Sequence, residues 1–356
     1  MTARILAARR TAVVPRGGAF AGLRIEDLAA PVIAAVLADA GLEAGQVDEL
    51  ILSNALGAGG NPARRVALAA GLPERVAGLT IDRQCAGGLD AIGLAAALVA
   101  SGRARVVLAG GVESYSRRPL RAMPGPDGAP VFYDQAPFTP WPDRDPDIAQ
   151  AAAALAVAQG IPRDQADAFA VASHAAALAA DLSAEIVPLQ GVARDAFARR
   201  LTPALAARAP VLRGPVTAAN AAVAADAAAF VVVAATGQGP RLLAQVTLGA
   251  DPCQPGLAPV PAIHAALGQA GLRPADLSLA EIMEAYAVQA IACIRGAGLD
   301  PPIVNRKGGA LARGHPIGAS GAILAVRLVQ DLAQGHGLAA IASAGGIGAA
   351  LVLAAG

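Results

Sequence analysis

The chain has 356 residues, 55% of them hydrophobic and only 3% aromatic, with a formal net charge of +1. That length accommodates one large or two fused medium domains around a substantial core. The charge excludes a bulk field for nucleic acid or an anionic membrane, the scarcity of aromatics argues against a stacking surface, and every long apolar run is broken by Gly, Pro or charge.

In chain order, the arginine-bearing start, with Ile5-Leu6 and Val13-Val14, reads better as a first strand entering a loop than as a targeting segment. Residues 24–43 read as a helix, 49–53 as a short buried strand, and 66–70 as a helical piece ended by Gly71. A longer unit follows: strand over 79–82, helix over 85–100, a stop at Gly102, strand over 106–109, then Gly110-Gly111. Residues 117–215 differ, with dense prolines before Pro146 and two helical stretches, 148–159 and 162–180; insertions of this length are usually functional. Near the C-terminus, residues 303–305 are strand-like, Gly318-Ala319-Ser320-Gly321 leads into a helix over 322–332, and strands cover 338–343 and 349–353 around Gly345-Gly346. The order strand, Gly-rich entry, Ala-rich helix, Gly stop, strand, Gly-Gly thus occurs twice. It predicts two related α/β halves, with residues 1–116 opening the first, 117–215 inserted over the site, and 216–356 forming the second.

Cys85 and His315 fall at comparable helix entrances, one in each half. A cysteine at a helix start is a candidate thiolate, stabilised by helix N-terminal amides and a basic neighbour, and paired with a histidine it suits covalent acyl transfer. A buried, inert cysteine is the competing reading. Cys253 and Cys293 complete an odd, widely spaced set that fits a reducing, cytoplasmic setting, and neither they nor His174, His264 and His336 have metal-ligand spacing, so no metal is expected. No Gly-Lys-Ser or Gly-Lys-Thr phosphate loop occurs.

Six stretches carry a resemblance to the thiolase family that runs nearly end to end. They are Gly60-Asn61-Pro62-Ala63-Arg64, Cys85-Ala86-Gly87-Gly88-Leu89, Ala109-Gly110-Gly111-Val112-Glu113-Ser114, Glu281-Ile282-Met283-Glu284-Ala285-Tyr286-Ala287, Gly308-Gly309-Ala310 with Gly314-His315-Pro316, and Gly345-Gly346-Ile347-Gly348. The resemblance implies a five-layered α-β-α-β-α fold of two similar halves, coenzyme A thioesters as substrates with no other cofactor, and a homodimer or homotetramer. It implies Cys85 as the nucleophile, His315 as the histidine that activates it, and an oxyanion hole from the backbone amides of Cys85 and Ala344. Ile148, Asn220 and Ala222 fall at positions near the acyl group and coenzyme A, and Arg199, Arg200, Arg208 and Arg213 are candidates for its phosphates or equally for solvated surface.

The chain departs from the family at two catalytic positions. Met283 stands where the family has an asparagine that holds an oxyanion- or enolate-stabilising water, and methionine donates no hydrogen bond. Ala342 stands where the family has a second cysteine that removes the α-proton of the attacking acetyl group. Ser343 is adjacent, but strand alternation directs it to the opposite face. The expectation is an acyltransferase that loads Cys85 from an acyl-coenzyme A and passes the acyl group to an acceptor, with carbon–carbon condensation impaired. An ordinary thiolase with a substitute base and a non-catalytic thiolase-like partner subunit are the alternatives.

Overall fold

The computed structural model describes residues 3–57 and 59–356. Nine strands carry the frame: β1 (Arg4–Thr11), β2 (Glu49–Ser53), β3 (Leu79–Ile81), β4 (Val106–Ser114), β5 (Ala225–Ala234), β6 (Arg241–Gly249), β7 (Leu277–Ile282), β8 (His336–Ser343) and β9 (Ile347–Ala354). Eight helices cover them: α1 (Ile25–Asp39), α2 (Pro62–Ala69), α3 (Gly87–Ala100), α4 (Ile148–Ala158), α5 (Arg163–Ala179), α6 (Pro259–Ala270), α7 (Ala287–Gly296) and α8 (Ile317–Asp331).

The strands follow the order β7-β8-β9-β6-β1-β5-β4-β2-β3, but β1 and β6 share only the pair Arg4 and Arg241. The path is therefore two sheets joined at one point. In the first, β2 and β4 are parallel, and β5 and β1 follow antiparallel. In the second, β7 and β8 are parallel, and β9 and β6 follow antiparallel. The halves repeat one topology, as the doubled sequence pattern implied. Strand β5, within the stretch expected to form the second half, pairs with β1 and β4 of the first.

The central strands of both sheets are buried on two faces and read as near-continuous apolar runs; all ten residues of β5 are buried. Helices α1 and α2 cover the outer face of the first sheet, and α6 with α7 cover that of the second. Helices α3 and α8 lie against each other between the sheets, sharing one apolar cluster with both. This is the five-layered α-β-α-β-α arrangement. The two middle helices meet through glycine. A Cβ at Gly88 would overlap the backbone of Ala322, and one at Gly321 would come within 2.7 Å of the Leu89 nitrogen.

Two expectations about local structure are corrected. Gly110-Gly111 does not end a strand; β4 runs through to Ser114. These glycines admit close neighbours, since a Cβ at Gly111 would overlap the Gly318 carbonyl at the entrance of α8. Residues 303–305 do not form a strand: Pro301–Ile303 make a tight helical turn, and Val304 makes a single bridge to Ala280.

Within 117–215, a hairpin (Arg121–Pro124 with Pro130–Tyr133) precedes α4 and α5, which pack on α7. A buried ionic cluster ties this region to both halves. Arg10 on β1 pairs with Glu185 at 2.6 Å and Asp195 at 2.7 Å, and Arg327 on α8 pairs with Glu185 and with Asp331 at 2.6 Å. Such pairs persist in the interior because each charge is met by several partners.

Candidate active site

The turn Gln84–Ala86 delivers Cys85 to the start of α3. Gln84 holds a left-handed φ of +47°, a costly conformation for a non-glycine residue. Its N–H donates to the Asp82 carboxylate at 2.8 Å, which helps hold that turn. From the other half, His315 precedes α8 and is fixed through its N–H, which donates to the Val223 carbonyl at 2.7 Å. The crossing of α3 and α8 brings the Cys85 sulfur to 3.1 Å from His315 Nε2.

The far side of the ring sets its tautomer. His315 Nδ1 lies 2.6 Å from Ser320 Oγ, and Ser320 Oγ donates to the Pro316 carbonyl at 3.2 Å. With its own proton committed, the hydroxyl accepts from Nδ1–H. Nε2 is left unprotonated, facing the thiol.

Burial governs both groups. It pushes the Cys85 thiol up to about 12, and the negative charge of Glu113 acts in the same direction. The Ser343 hydroxyl and the backbone amides of Cys85 and Ala344 draw it back only in part. Burial also holds His315 down at about 4. Burial thus favours a neutral thiol and a neutral imidazole over the charged pair. Desolvation penalises both charges before either can stabilise the other.

A cavity of about 190 Å³ opens beside the pair. Ile148, Ala151, Ala152 and Leu155 line it from one face of α4, and Ala222, Ala342 and Ala344 line it from the two halves. The other sequence-derived positions lie elsewhere. Met283 is packed in the central apolar cluster and is absent from the cavity wall. Asn220 is buried in a loop, donating through Nδ2 to Asp167 at 2.8 Å and to the Pro215 carbonyl at 3.1 Å. Arg199, Arg200, Arg208 and Arg213 do not line the cavity. A wider groove of about 940 Å³ along α3 and β6 contains neither Cys85 nor His315.

The sequence reading directed one polar residue at the site away from it and gave two others, Glu113 and Gln289, no role. Ser343 lines the cavity, its hydroxyl donating to the Arg83 carbonyl at 3.2 Å, against the alternation argument, because it ends β8 just before the Gly345-Gly346 turn. Glu113 is buried within β4. Its carboxylate accepts from Gly318 N at 3.0 Å, Ala55 N at 3.1 Å and Asn54 Nδ2 at 2.9 Å, and burial raises its pKa to about 7. It thereby clasps the first turn of the helix behind His315. Gln289, on α7, lines the cavity. The usable signal for Gln289 was a lone polar side chain inside an apolar run, and for Glu113 a carboxylate at the end of one. Among the described residues, no group of three or more His, Cys, Asp or Glu side chains could hold a metal ion.

The profile described as the thiolase N-terminal domain matches residues 3–237, and that of the thiolase C-terminal domain matches residues 239–355. An acetyl-CoA acetyltransferase of Pseudomonas aeruginosa is 38% identical, with 98% of each chain covered. One from Cupriavidus necator is also 38% identical, again over 98% of each. Among solved structures, human mitochondrial 3-ketoacyl-CoA thiolase in complex with CoA superposes with a TM-score of 0.93 at 29% identity, over 100% of this chain and 98% of that one. Bacillus anthracis acetyl-CoA acetyltransferase superposes at 0.92 with 31% identity, over 99% and 98%.

Proposed function

Because the chain belongs to the thiolase family, whose two profiles together span residues 3–355, we propose that it is an acyl-coenzyme A-dependent acyltransferase that loads Cys85 and has lost most of its capacity for carbon–carbon condensation. The contact between Cys85 and His315 carries the first half of this reading. The Cys85 sulfur attacks the thioester carbonyl as its proton passes to His315 Nε2. The amides of Cys85 and Ala344 stabilise the oxyanion. The tetrahedral adduct then collapses: the bond from carbon to the coenzyme A sulfur breaks, and His315 returns the proton to that sulfur. Acyl-Cys85 and free coenzyme A result, with no other cofactor.

The second half of a thiolase cycle needs a base for a weakly acidic C–H and a donor for the enolate. At the cavity wall, position 342 offers a methyl group, and the titratable side chains are Cys85, His315 and Tyr286. Burial raises Tyr286 to about 12, which leaves it protonated. Once Cys85 is acylated, His315 is the remaining base. Losing a dedicated base and a donor costs roughly 10²-fold each. An amine, a hydroxyl, water or an already activated carbon nucleophile is then the acceptor. The alternative of an ordinary thiolase draws support from the relatives named acetyl-CoA acetyltransferase. The alternative of an inert partner subunit has no use for the Cys85–His315 contact.

Incubation with acetyl-coenzyme A tests the proposal. Intact mass should show acetylated Cys85, and absorbance should show little synthesis or thiolysis of acetoacetyl-coenzyme A. Turnover of about 1 per second or faster would restore the ordinary-thiolase reading, and absence of any acyl-enzyme would leave the partner subunit. Ala342→Cys puts a thiol on the cavity wall and should raise condensation.

A further inference from the structure

We infer that the Tyr286 hydroxyl orients the acceptor in the second half of the reaction, and that this acceptor is an O–H nucleophile, water or a small alcohol. This deepens the acyl-transfer reading above and rests on it.

Among the described residues, five polar side chains line the cavity beside Cys85 and His315: Gln84, Gln135, Tyr286, Gln289 and Ser343. Four of them are engaged or turned elsewhere. Gln84 Nε2 donates to both Asp82 carboxylate oxygens, at 3.0 and 3.1 Å. Ser343 Oγ donates to the Arg83 carbonyl. The Gln289 amide nitrogen is sealed within the protein, and Gln135 is exposed, where solvent satisfies it. Tyr286 is different. Among the described residues its hydroxyl has no hydrogen-bond partner, yet its oxygen is not one of the sealed atoms.

The backbone fixes this residue on both sides. Ala222 N donates to the Ala285 carbonyl at 2.9 Å, and Ala287 N donates to the Asn220 carbonyl at 2.9 Å. Tyr286 itself is extended, with φ −140° and ψ 146°, and its carbonyl accepts from Ala290 N at 3.0 Å as α7 begins. The half-buried ring packs on the apolar cluster of α4, α5 and α7. Burial raises the hydroxyl to about 12, and the charges of Asp147, at the start of α4, and of Cys85 act in the same direction. The hydroxyl thus keeps its proton close enough to the reacting sulfur to feel its charge. A donor of this kind in a substrate cavity is satisfied when the ligand brings the acceptor.

The chemistry of that donor selects the nucleophile. Water or an alcohol has two lone pairs, so one can accept from Tyr286 while the other attacks. An amine has a single lone pair, and a donor bound to it blocks attack. An activated carbon nucleophile brings negative charge, and among the described residues lining the cavity there is no lysine or arginine to meet it. In the step itself, the acceptor oxygen bonds to the acyl carbon as its proton passes to His315 Nε2. The bond from that carbon to Cys85 Sγ then breaks, and His315 returns the proton to the sulfur. The products are free Cys85 and an acid or an ester. Tyr286 keeps its proton throughout.

The experiment loads Cys85 of the full-length protein with acetyl-coenzyme A and removes the excess by desalting. Loss of the acetyl group is then followed by intact mass in buffer alone, with 1-propanol, and with propylamine at the same concentration of free base. Tyr286→Phe, which removes one oxygen, should load within a few-fold of the wild-type rate. It should lose acetyl to water, to propanol or to both about tenfold more slowly, the size of one net hydrogen bond, while loss to propylamine changes little. Equal slowing with propylamine, or no slowing with either oxygen nucleophile, would overturn the inference. Where the variant does not fold, the wild type decides: its ratio of propanol to propylamine rates should exceed that of a free acetyl thioester about tenfold, and an equal ratio would overturn the inference. Failure of Cys85 to load at all would instead refute the acyl-transfer reading, so the two failures are distinguishable.

Discussion

At Cys85 the proton stays on sulfur until a thioester arrives, because burial raises the thiol to about 12 and lowers His315 to about 4. The active form of His315 is the neutral imidazole, and lowering its pKa extends that form to lower pH. The rate of Cys85 acylation should therefore be flat from about pH 5 to 9 and fall only as the pH drops toward 4. A fall of about fourfold between pH 8 and pH 6 would place the histidine near its ordinary value and sink the neutral-pair account. In the same assay, His315→Ala should slow acylation about 10²-fold or more. The sequence held the identities of this pair and not their charge states, since desolvation depends on what folds over them. It directed Ser343 to the opposite face, whereas Ser343 lines the cavity; Met283 lies in the core and Asn220 in a loop. Side-chain direction at the last residue of a strand is decided by the turn that follows, which alternation does not encode.

Among the elements, the junction of α3 and α8 sets the catalytic distance. Gly88 and Gly321 let the helix entrances approach until backbone meets backbone. Gly88→Ala should force them apart, destabilising the protein by about 1–3 kcal/mol and slowing acylation by His315 more than the loss of stability explains. Urea unfolding and acylation timing on the same preparation check this. Normal stability with normal acylation would mean that the junction yields elsewhere. Most of the frame was legible: the strand over 49–53, the helices near 24–43, 148–159 and 162–180, and the repeated unit all have counterparts. The errors share a cause. Gly110-Gly111 read as punctuation because glycine usually ends strands, yet here it clears space for a neighbour that sequence distance conceals.

The whole molecule leaves apolar surface uncovered. The hairpin exposes Met123, Val131 and Phe132, with Leu120 beside it 88% exposed, and β3, at the edge of the first sheet, exposes Leu79. A patch of this kind with an open strand edge favours self-association. Light scattering at micromolar concentration should give a dimer or a tetramer, and a clean monomer would rule this out. Among the described residues, no helix is long and apolar enough to cross a membrane. The two-halved topology was readable because the doubled glycine pattern recurs at matching helix entrances. The single joint between the sheets was not, since one bridge between Arg4 and Arg241 leaves no pattern in the chain.

The distance along the chain between Cys85 and His315, 230 residues, has a consequence for synthesis. A ribosome completes α3 and releases Cys85 long before it reaches His315. Through that interval the thiol has no base, and the face of α3 that will meet α8 has no cover. The nascent protein is chemically silent and adhesive at once, a natural client for chaperones. The contact between Cys85 and His315 forms only when the second half has been made. Premature termination before residue 315 thus yields a fragment that aggregates and cannot consume acyl-coenzyme A.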